Sequence, residues 1–251
     1  MAAKVTHLWR HPIKAHGAES LAEVVLRAGT TMPWDRVWAI AHESARVDGD
    51  VDGWRPCANF SRGAKSPQLM AIRARVNESA GTITLTHPRL APLTLDPDVA
   101  EDAARLVAWV QPVSNPDRAR PASVVRADRG MTDSDWPSVS ILNGASLGAL
   151  SAHAGRDLAQ ERFRGNVWVE GLEPWAEFDW VGQTLRVGDA VLKVRERITR
   201  CKATMVDPET GVPDVDTLGA LETGWEHQDF GVYAEVIEGG RIVVGDGLEL
   251  R

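Results

Sequence analysis

The chain has 251 residues, 43% of them hydrophobic and 25% charged, with a formal net charge of -7. That length buries one large core or two smaller ones, and the acidic balance leaves no overall basic footprint for nucleic acid or an anionic membrane. No uncharged apolar run of about 18 residues occurs, so no membrane-spanning helix is expected. The opening Met1-Ala2-Ala3-Lys4-Val5-Thr6-His7 lacks the apolar stretch of a secretory signal, and on that ground the protein is expected to be cytoplasmic.

Short alternating segments fill the first half. Residues 5–10, 24–27, 37–41, 70–76 and 82–86 read as strands, with Asn77-Glu78-Ser79-Ala80-Gly81 a tight connection between the last two. Residues 47–67 carry Asp-Gly, Arg-Pro, Arg-Gly and Ser-Pro steps and predict a long irregular loop able to cover a site. An apolar stripe of Val99, Leu106, Val107 and Val110, with Glu101 and Asp102 at the favourable end, predicts a helix that stops before Pro112.

Residues 112–121 have linker composition, which places a boundary between a domain over 1–115 and a second over 116–251. A helix capped by Asn143 should run over 144–153 and end at Gly155. Strands are then expected at 167–170, 184–187, 191–198, 230–237 and 241–244. Of the ten tryptophans, Trp175 and Trp180 bracket Glu177 and Asp179 in a run that either plugs the end of a barrel or lines a pocket. The predicted class is mainly β with a few helices, in two β-rich lobes. Irregular alternation of strands and helices excludes a doubly wound sheet.

Chemistry concentrates at Cys201. The thiol leaves a strand pattern between Arg200 and Lys202, and adjacent cations favour a thiolate, a nucleophile and a ligand for soft metals. A lone cysteine is also commonly a small buried hydrophobe. Cys57 and Cys201 form no CxxC or zinc-type spacing, although one disulfide is formally possible. The seven histidines are scattered, and neither an HExxH, a phosphate loop nor a GxSxG elbow occurs.

Five stretches then carry a family resemblance. They are Arg162-Phe-Arg-Gly-Asn-Val-Trp-Val169, Pro174-Trp-Ala-Glu177, Arg200-Cys-Lys-Ala-Thr-Met-Val-Asp-Pro-Glu-Thr-Gly211, Phe230-Gly-Val-Tyr233 and Ile242-Val-Val-Gly-Asp246. In that order the C-terminal half resembles the MOSC domain, the module named for the C-terminal domain of molybdenum-cofactor sulfurases. Leu8-Trp-Arg-His-Pro-Ile-Lys14 and Trp34-Asp-Arg-Val-Trp38 are similar to the N-terminal β-barrel domain that often precedes it. The resemblance implies a C-terminal MOSC-type β-barrel behind an N-terminal barrel domain.

The two-domain relatives include the mitochondrial amidoxime-reducing component and its bacterial counterparts. Likeness to them implies a molybdenum cofactor, a pterin dithiolene with molybdenum, and makes Cys201 both the metal ligand and the catalytic residue. It also implies cofactor-binding roles for Lys14, Arg36, Arg164, Asn166, Arg200 and Thr204. Lys14 has the alternative of a solvated barrel face, and Ala15 stands where close relatives have serine. Asp207 and Thr210 read as turn-setting residues.

The implied activity is reduction of N-oxygenated, and by extension S-oxygenated, small molecules, with electrons from a separate flavin, haem or iron-sulfur donor. No nucleic acid or membrane partner is expected. The alternative is a molybdenum-cofactor or sulfur carrier, or a cofactor-free binding protein on the same fold.

Overall fold

The computed structural model describes residues 3–47, 49 and 51–251. The first strand, β1 (Lys4–Arg10), carries a bulge between Val5 and His7. The extra residue lets Val5 and Leu8, an odd number of positions apart, both face the core. Strands β2 (Glu19–Leu21), β3 (Glu23–Leu26) and β4 (Trp38–His42) follow. Next, β5 (Arg73–Asn77), β6 (Thr82–His87) and β7 (Leu90–Leu95) form an antiparallel meander. Pro92 is tolerated because β7 is its edge. The strand expected over 70–76 starts only at Arg73, because residues 70 and 71 end a 3-10 turn, Pro67–Ala71, opened by Pro67, whose ring fixes φ and removes a ladder donor.

Helix α1 (Ala100–Val110) buries Leu106 and Val110 of the predicted stripe, with Val107 partly buried against the same core and Val99 exposed at the N-cap. It is followed by β8 (Pro121–Arg126), which pairs with β4. Strand β9 (Val139–Asn143) leads into α2 (Gly144–Ala154) and β10 (Val167–Glu170). Strands β9 and β10 are parallel, so the chain needs α2 as its crossover. The helix begins where the Asn143 side chain accepts the Ala145 N–H and ends at Gly155, whose φ of 66° suits a residue without Cβ.

Then come β11 (Thr184–Val187), β12 (Ala190–Thr199), α3 (Thr217–Trp225), β13 (Asp229–Glu238), β14 (Gly240–Val243) and β15 (Leu248–Leu250). Fifteen strands against three α-helices among the described residues make the fold mainly β.

Eight strands share one sheet in the order β15-β11-β12-β13-β9-β10-β1-β2. Its inner face gathers residues from both ends of the chain, among them Val5, Leu8, Ile141, Val169, Leu192 and Val232. The expected closed C-terminal barrel is therefore corrected to a half-barrel sheet with β15 and β2 at its ends. Register irregularities along the β12/β13 pair bend the long strands, and β14 leaves the sheet to pair with β3.

A second core, under β4, the meander and α1, holds Trp38, Leu69, Ile83, Leu85 and Leu106. Trp180 and Phe178 enter the first core, and Glu177 beside them is buried, so this run plugs the sheet rather than lining a pocket. The Glu177 carboxyl accepts bonds from Asn143 Nδ2 at 2.9 Å and from Ser146 Oγ at 2.8 Å.

Candidate active site

Five segments converge between the two cores: the loop after β1, the loop before β4, residues 129–136, the turn before β10 and the turn after β12. Lys14 is only 5% exposed, so it is not on a solvated face. Its Nζ donates to Met131 O at 2.9 Å, Thr132 O at 3.3 Å and Asp133 Oδ1 at 2.6 Å. An ammonium has three protons, and all of them are used. The carboxylate of Asp133 also accepts from Cys57 Sγ at 2.9 Å. Neighbouring protein groups partly desolvate the Asp133 carboxylate although its side chain is 57% exposed, and Lys14 and then Arg36 outweigh this and hold it well below its usual range. Burial, reinforced by Asp133, pushes the Cys57 thiol up to about 11, so it is neutral at ordinary pH.

Arg36 and Arg164 both have left-handed backbones, with φ of 55° and 47°. Non-glycine residues pay about 1 to 3 kcal/mol for such geometry, which persists only where surroundings enforce it and clusters at functional sites. The two are tied together, since Arg36 Nη2 donates to Arg164 O at 3.1 Å, while Arg36 Nη1 pairs with the buried Asp35 carboxylate. Asp35 also accepts the His11 backbone N–H at 2.7 Å. Burial opposes its charge, yet Arg36 and His11 keep its pKa below the ordinary value.

Arg164 donates through Nη1 to Gly17 O at 3.1 Å, and its buried Nη2 has no partner among the described residues. Burial, then the Arg36 charge, pushes this guanidinium down to about 9.

Arg200 reaches Phe230 O from Nε at 2.8 Å and Phe163 O from Nη1 at 2.9 Å. Burial lowers it to about 10, while Tyr233, Cys201 and Asp133 favour its charged form and Arg36 opposes it. The Cys201 side chain is exposed, at the head of a 3-10 turn over Lys202–Met205. Both cysteines are free, so no disulfide joins them.

The remaining expected residues act on the backbone. Thr204 Oγ1 donates to Cys201 O at 3.1 Å and shares a 2.7 Å bond with Thr217 Oγ1, fixing the turn rather than meeting the sulfur. Asn166 Oδ1 accepts from Ser140 N and Oγ at 3.1 and 2.9 Å, and its Nδ2 donates to Trp9 O at 3.2 Å. These bonds stitch the start of β10 to β9 and β1. Arg162 forms a forked pair with Asp214 at 2.7 and 2.8 Å. Asp207 Oδ2 accepts from Thr210 Oγ1 at 2.9 Å, which sets the turn after the cysteine.

Asp133 and Cys57 were given no site role in the sequence reading because no local motif marks them, while Tyr233, His11 and Asp35 lie inside the quoted motifs and their partners are visible only in the fold. Among the described residues no group of three or more His, Cys, Asp or Glu is placed to hold a metal. A metal here would rest on the Cys201 sulfur and on donors the protein does not supply. Cavities of about 690 Å3 against α2 and about 840 Å3 beside Trp34 are lined by neither Cys201, Lys14 nor Arg164.

The chain is 25% identical over 246 residues to mitochondrial amidoxime-reducing component 1 of Mus musculus, covering 84% of this chain and 67% of that protein. To the Homo sapiens protein of the same name it is 34% identical over 91 residues, 36% of this chain and 26% of the relative. The YUAD protein of Bacillus subtilis superposes with a TM-score of 0.50 at 12% identity, over 100% of this chain and 96% of that one, a likeness of fold alone.

The relatives' names overturn the expectation of a cytoplasmic protein, since amidoxime-reducing components from several vertebrates are called mitochondrial. That expectation rested on a missing apolar leader, whereas mitochondrial leaders are amphipathic and arginine-rich. Residues 2–120 match the MOSC N-terminal beta barrel domain and residues 129–249 the MOSC domain, so the named barrel is the N-terminal one. With both matches in sequence along it, the chain belongs to the MOSC family, a MOSC N-terminal beta barrel domain followed by a MOSC domain.

Proposed function

We propose that this chain is a molybdenum-cofactor-dependent oxidoreductase that takes oxygen from N-oxygenated small molecules, and from S-oxygenated ones of similar size. Cys201 is the protein ligand in this reading. The observation that supports it is an exposed thiol next to Arg200 in the chain, with Arg200 bonded to Phe163 O beside Arg164, whose buried Nη2 is unpartnered among the described residues and whose carbonyl accepts from Arg36. Likeness to amidoxime-reducing components supports the oxidoreductase class.

The donor set fits the group. A thiolate suits a soft, sulfur-ligated metal, and unspent guanidinium N–H groups suit an anionic, acceptor-rich pterin. When bound, the cofactor supplies two-electron chemistry and an exchangeable oxygen position. The chain's own residues do the positioning. Arg36 and Arg164 present donors from backbones their surroundings hold in place, and Arg200 sets positive charge beside the sulfur. Thr204 fixes the Cys201 carbonyl, and Asn166 locks the strands beneath. Lys14 serves by ordering residues 131–133, and a hydroxyl at position 15 is not part of this site. Electrons come from a separate flavin, haem or iron-sulfur protein.

The test is production in a host with an intact molybdenum-cofactor pathway, followed by elemental analysis, pterin fluorescence and reduction of an amidoxime by a chemical reductant. Stoichiometric metal and pterin, turnover, and loss of metal in Cys201→Ser are expected. Wild-type protein repeatedly free of both would overturn the proposal, and full loading without turnover would favour the carrier reading.

A further inference from the structure

Cys201 stands at the entrance of a hairpin. Asp207 N donates to Val212 O at 2.9 Å, Gly211 N to Asp207 O at 2.8 Å and Asp214 N to Met205 O at 3.0 Å, and Val206 bridges Pro213 antiparallel. Residues 203–207 thus run back against 211–214, with Thr210 and Gly211 at the tip. The entrance is tied to α3, because Thr204 Oγ1 meets both Cys201 O and the buried Thr217 Oγ1. The tip is held from the other domain.

Gln68, in the 3-10 turn Pro67–Ala71, donates from Nε2 to Thr210 O at 3.1 Å and to Gly211 O at 2.9 Å. Carbonyls only accept, so the amide nitrogen faces them. Its Oε1 is then left buried without a partner among the described residues. An orphaned acceptor is unfavourable, and the two bonds to the tip keep the side chain in that orientation.

The approach is close on both sides. Gly211 has φ of 69°, and a Cβ there would fall 2.7 Å from Gln68 Cα, so only glycine lets the tip lie on the Gln68 backbone. Gln68 is pinned in turn. His87 Nδ1 accepts the Arg89 N–H at 3.1 Å, which leaves the ring proton on Nε2, and Nε2 lies 3.2 Å from Gln68 O. A Cβ on Gly63 would stand 3.6 Å from Ala203 Cβ, so the segment leading to Gln68 also packs against the turn two residues after Cys201.

We infer that Gln68 is a positioning residue for Cys201, gripping the hairpin from the N-terminal domain and keeping the thiol in the field of Arg200. The role rests on the reading of Cys201 as the metal ligand. Arg200 does not follow a hairpin that swings away, since its guanidinium is bonded to Phe230 O and Phe163 O.

Three variants test this in cofactor-free protein. Gln68→Met removes the donor at similar length, Gln68→His returns an N–H at similar reach, and Gly211→Ala pushes the tip off Gln68 from the opposite side. Cys201 is alkylated at about pH 8, where histidine is neutral, with anionic iodoacetate and with neutral iodoacetamide at low salt. Mass spectrometry of its peptide separates it from Cys57. The ratio of the two rates cancels the thiolate fraction and reports the charge around the sulfur. Urea-unfolded protein supplies the baseline, and thermal melts with hydrogen exchange over 203–214 monitor folding.

The iodoacetate-to-iodoacetamide ratio should fall roughly twofold or more toward that baseline in Gln68→Met and Gly211→Ala, and recover in part in Gln68→His. Molybdenum retained by protein from a cofactor-proficient host should fall in the same order. A lowered ratio with wild type free of molybdenum would uphold the clasp and remove the cofactor reading. A ratio unchanged in folded Gln68→Met, whether or not exchange is faster, would overturn the positioning role and make Gln68 a structural contact, and molybdenum in wild type would then leave the cofactor reading standing.

Discussion

Replacing Lys14 with methionine keeps the stem's bulk and deletes the ammonium. Three acceptors then lose a donor: Met131 O, Thr132 O and the Asp133 carboxylate. Breaking a fully buried ion pair costs about 3 to 5 kcal/mol. Asp133 is different, because its side chain is 57% exposed and water can take the place of the lost partner. Thr132 O also keeps its bond from Trp54 Nε1 at 3.1 Å. The expected loss is therefore about 1.5 to 3 kcal/mol, the range for bonds to charged groups. For a chain of this size each kcal/mol lowers Tm by roughly 2 to 4 °C, so a fall of about 3 to 12 °C is expected.

The pH dependence is a second readout. Asp133 has a folded pKa below its unfolded one because of Lys14 and Arg36. The stability this shift contributes is present above the ordinary carboxylate range near pH 4 and is lost as pH falls toward the depressed value. Wild type and Lys14→Met should thus differ most at neutral pH and converge in acid. Calorimetric melts from pH 3 to 7, with Asp133→Asn and the double variant closing a cycle, measure both effects. A Lys14→Met protein within about 0.5 kcal/mol of wild type at pH 7 would refute the reasoning and return Lys14 to a solvated surface.

Cys201→Ser should melt within about 0.5 kcal/mol of wild type in the cofactor-free state, since the side chain is exposed, and a larger drop by urea titration would mean a packing role. Arg162→Leu removes the forked partner of Asp214, whose arginine is 3% exposed, and leaves it only the more exposed Arg156 at 3.0 Å, so it should cost about 2 kcal/mol in urea unfolding. Burial raises the folded pKa of Glu177, so its contribution is full below the unfolded value and declines as pH rises through the folded one. Glu177→Gln should flatten that decline, and two parallel stability profiles would show the carboxyl to be ionised in both states.

Much of the architecture could be read locally. The α2 helix follows from an Asn143 cap, small residues and a terminal Gly155, all short-range rules, and the structure realises each. The β-rich class follows from alternation and turn residues in the same way. Strand β9 was missed because it is buried along its whole length and shows no alternation, and β7 because Pro92 reads as a breaker. Helix α3 escaped because its two glycines weaken the helical pattern, whereas burial of Leu221 holds it in place.

The sequence by itself determined the residue types that matter, a cysteine flanked by cations and two arginine-bearing motifs, because side-chain chemistry is a local property. Which partners those side chains meet was decided by the fold. Lys14 spends its donors on Asp133, 119 positions away, Cys57 reaches the same carboxylate from 76 positions away, and Arg164 bonds Gly17 across 147. No pattern along the chain encodes such meetings, since they arise only when β1 and β2 join the sheet of the second half and β8 returns to β4. Whether a buried donor is spent or free depends on the acceptors that packing brings within about 3 Å, and that is a property of tertiary structure alone.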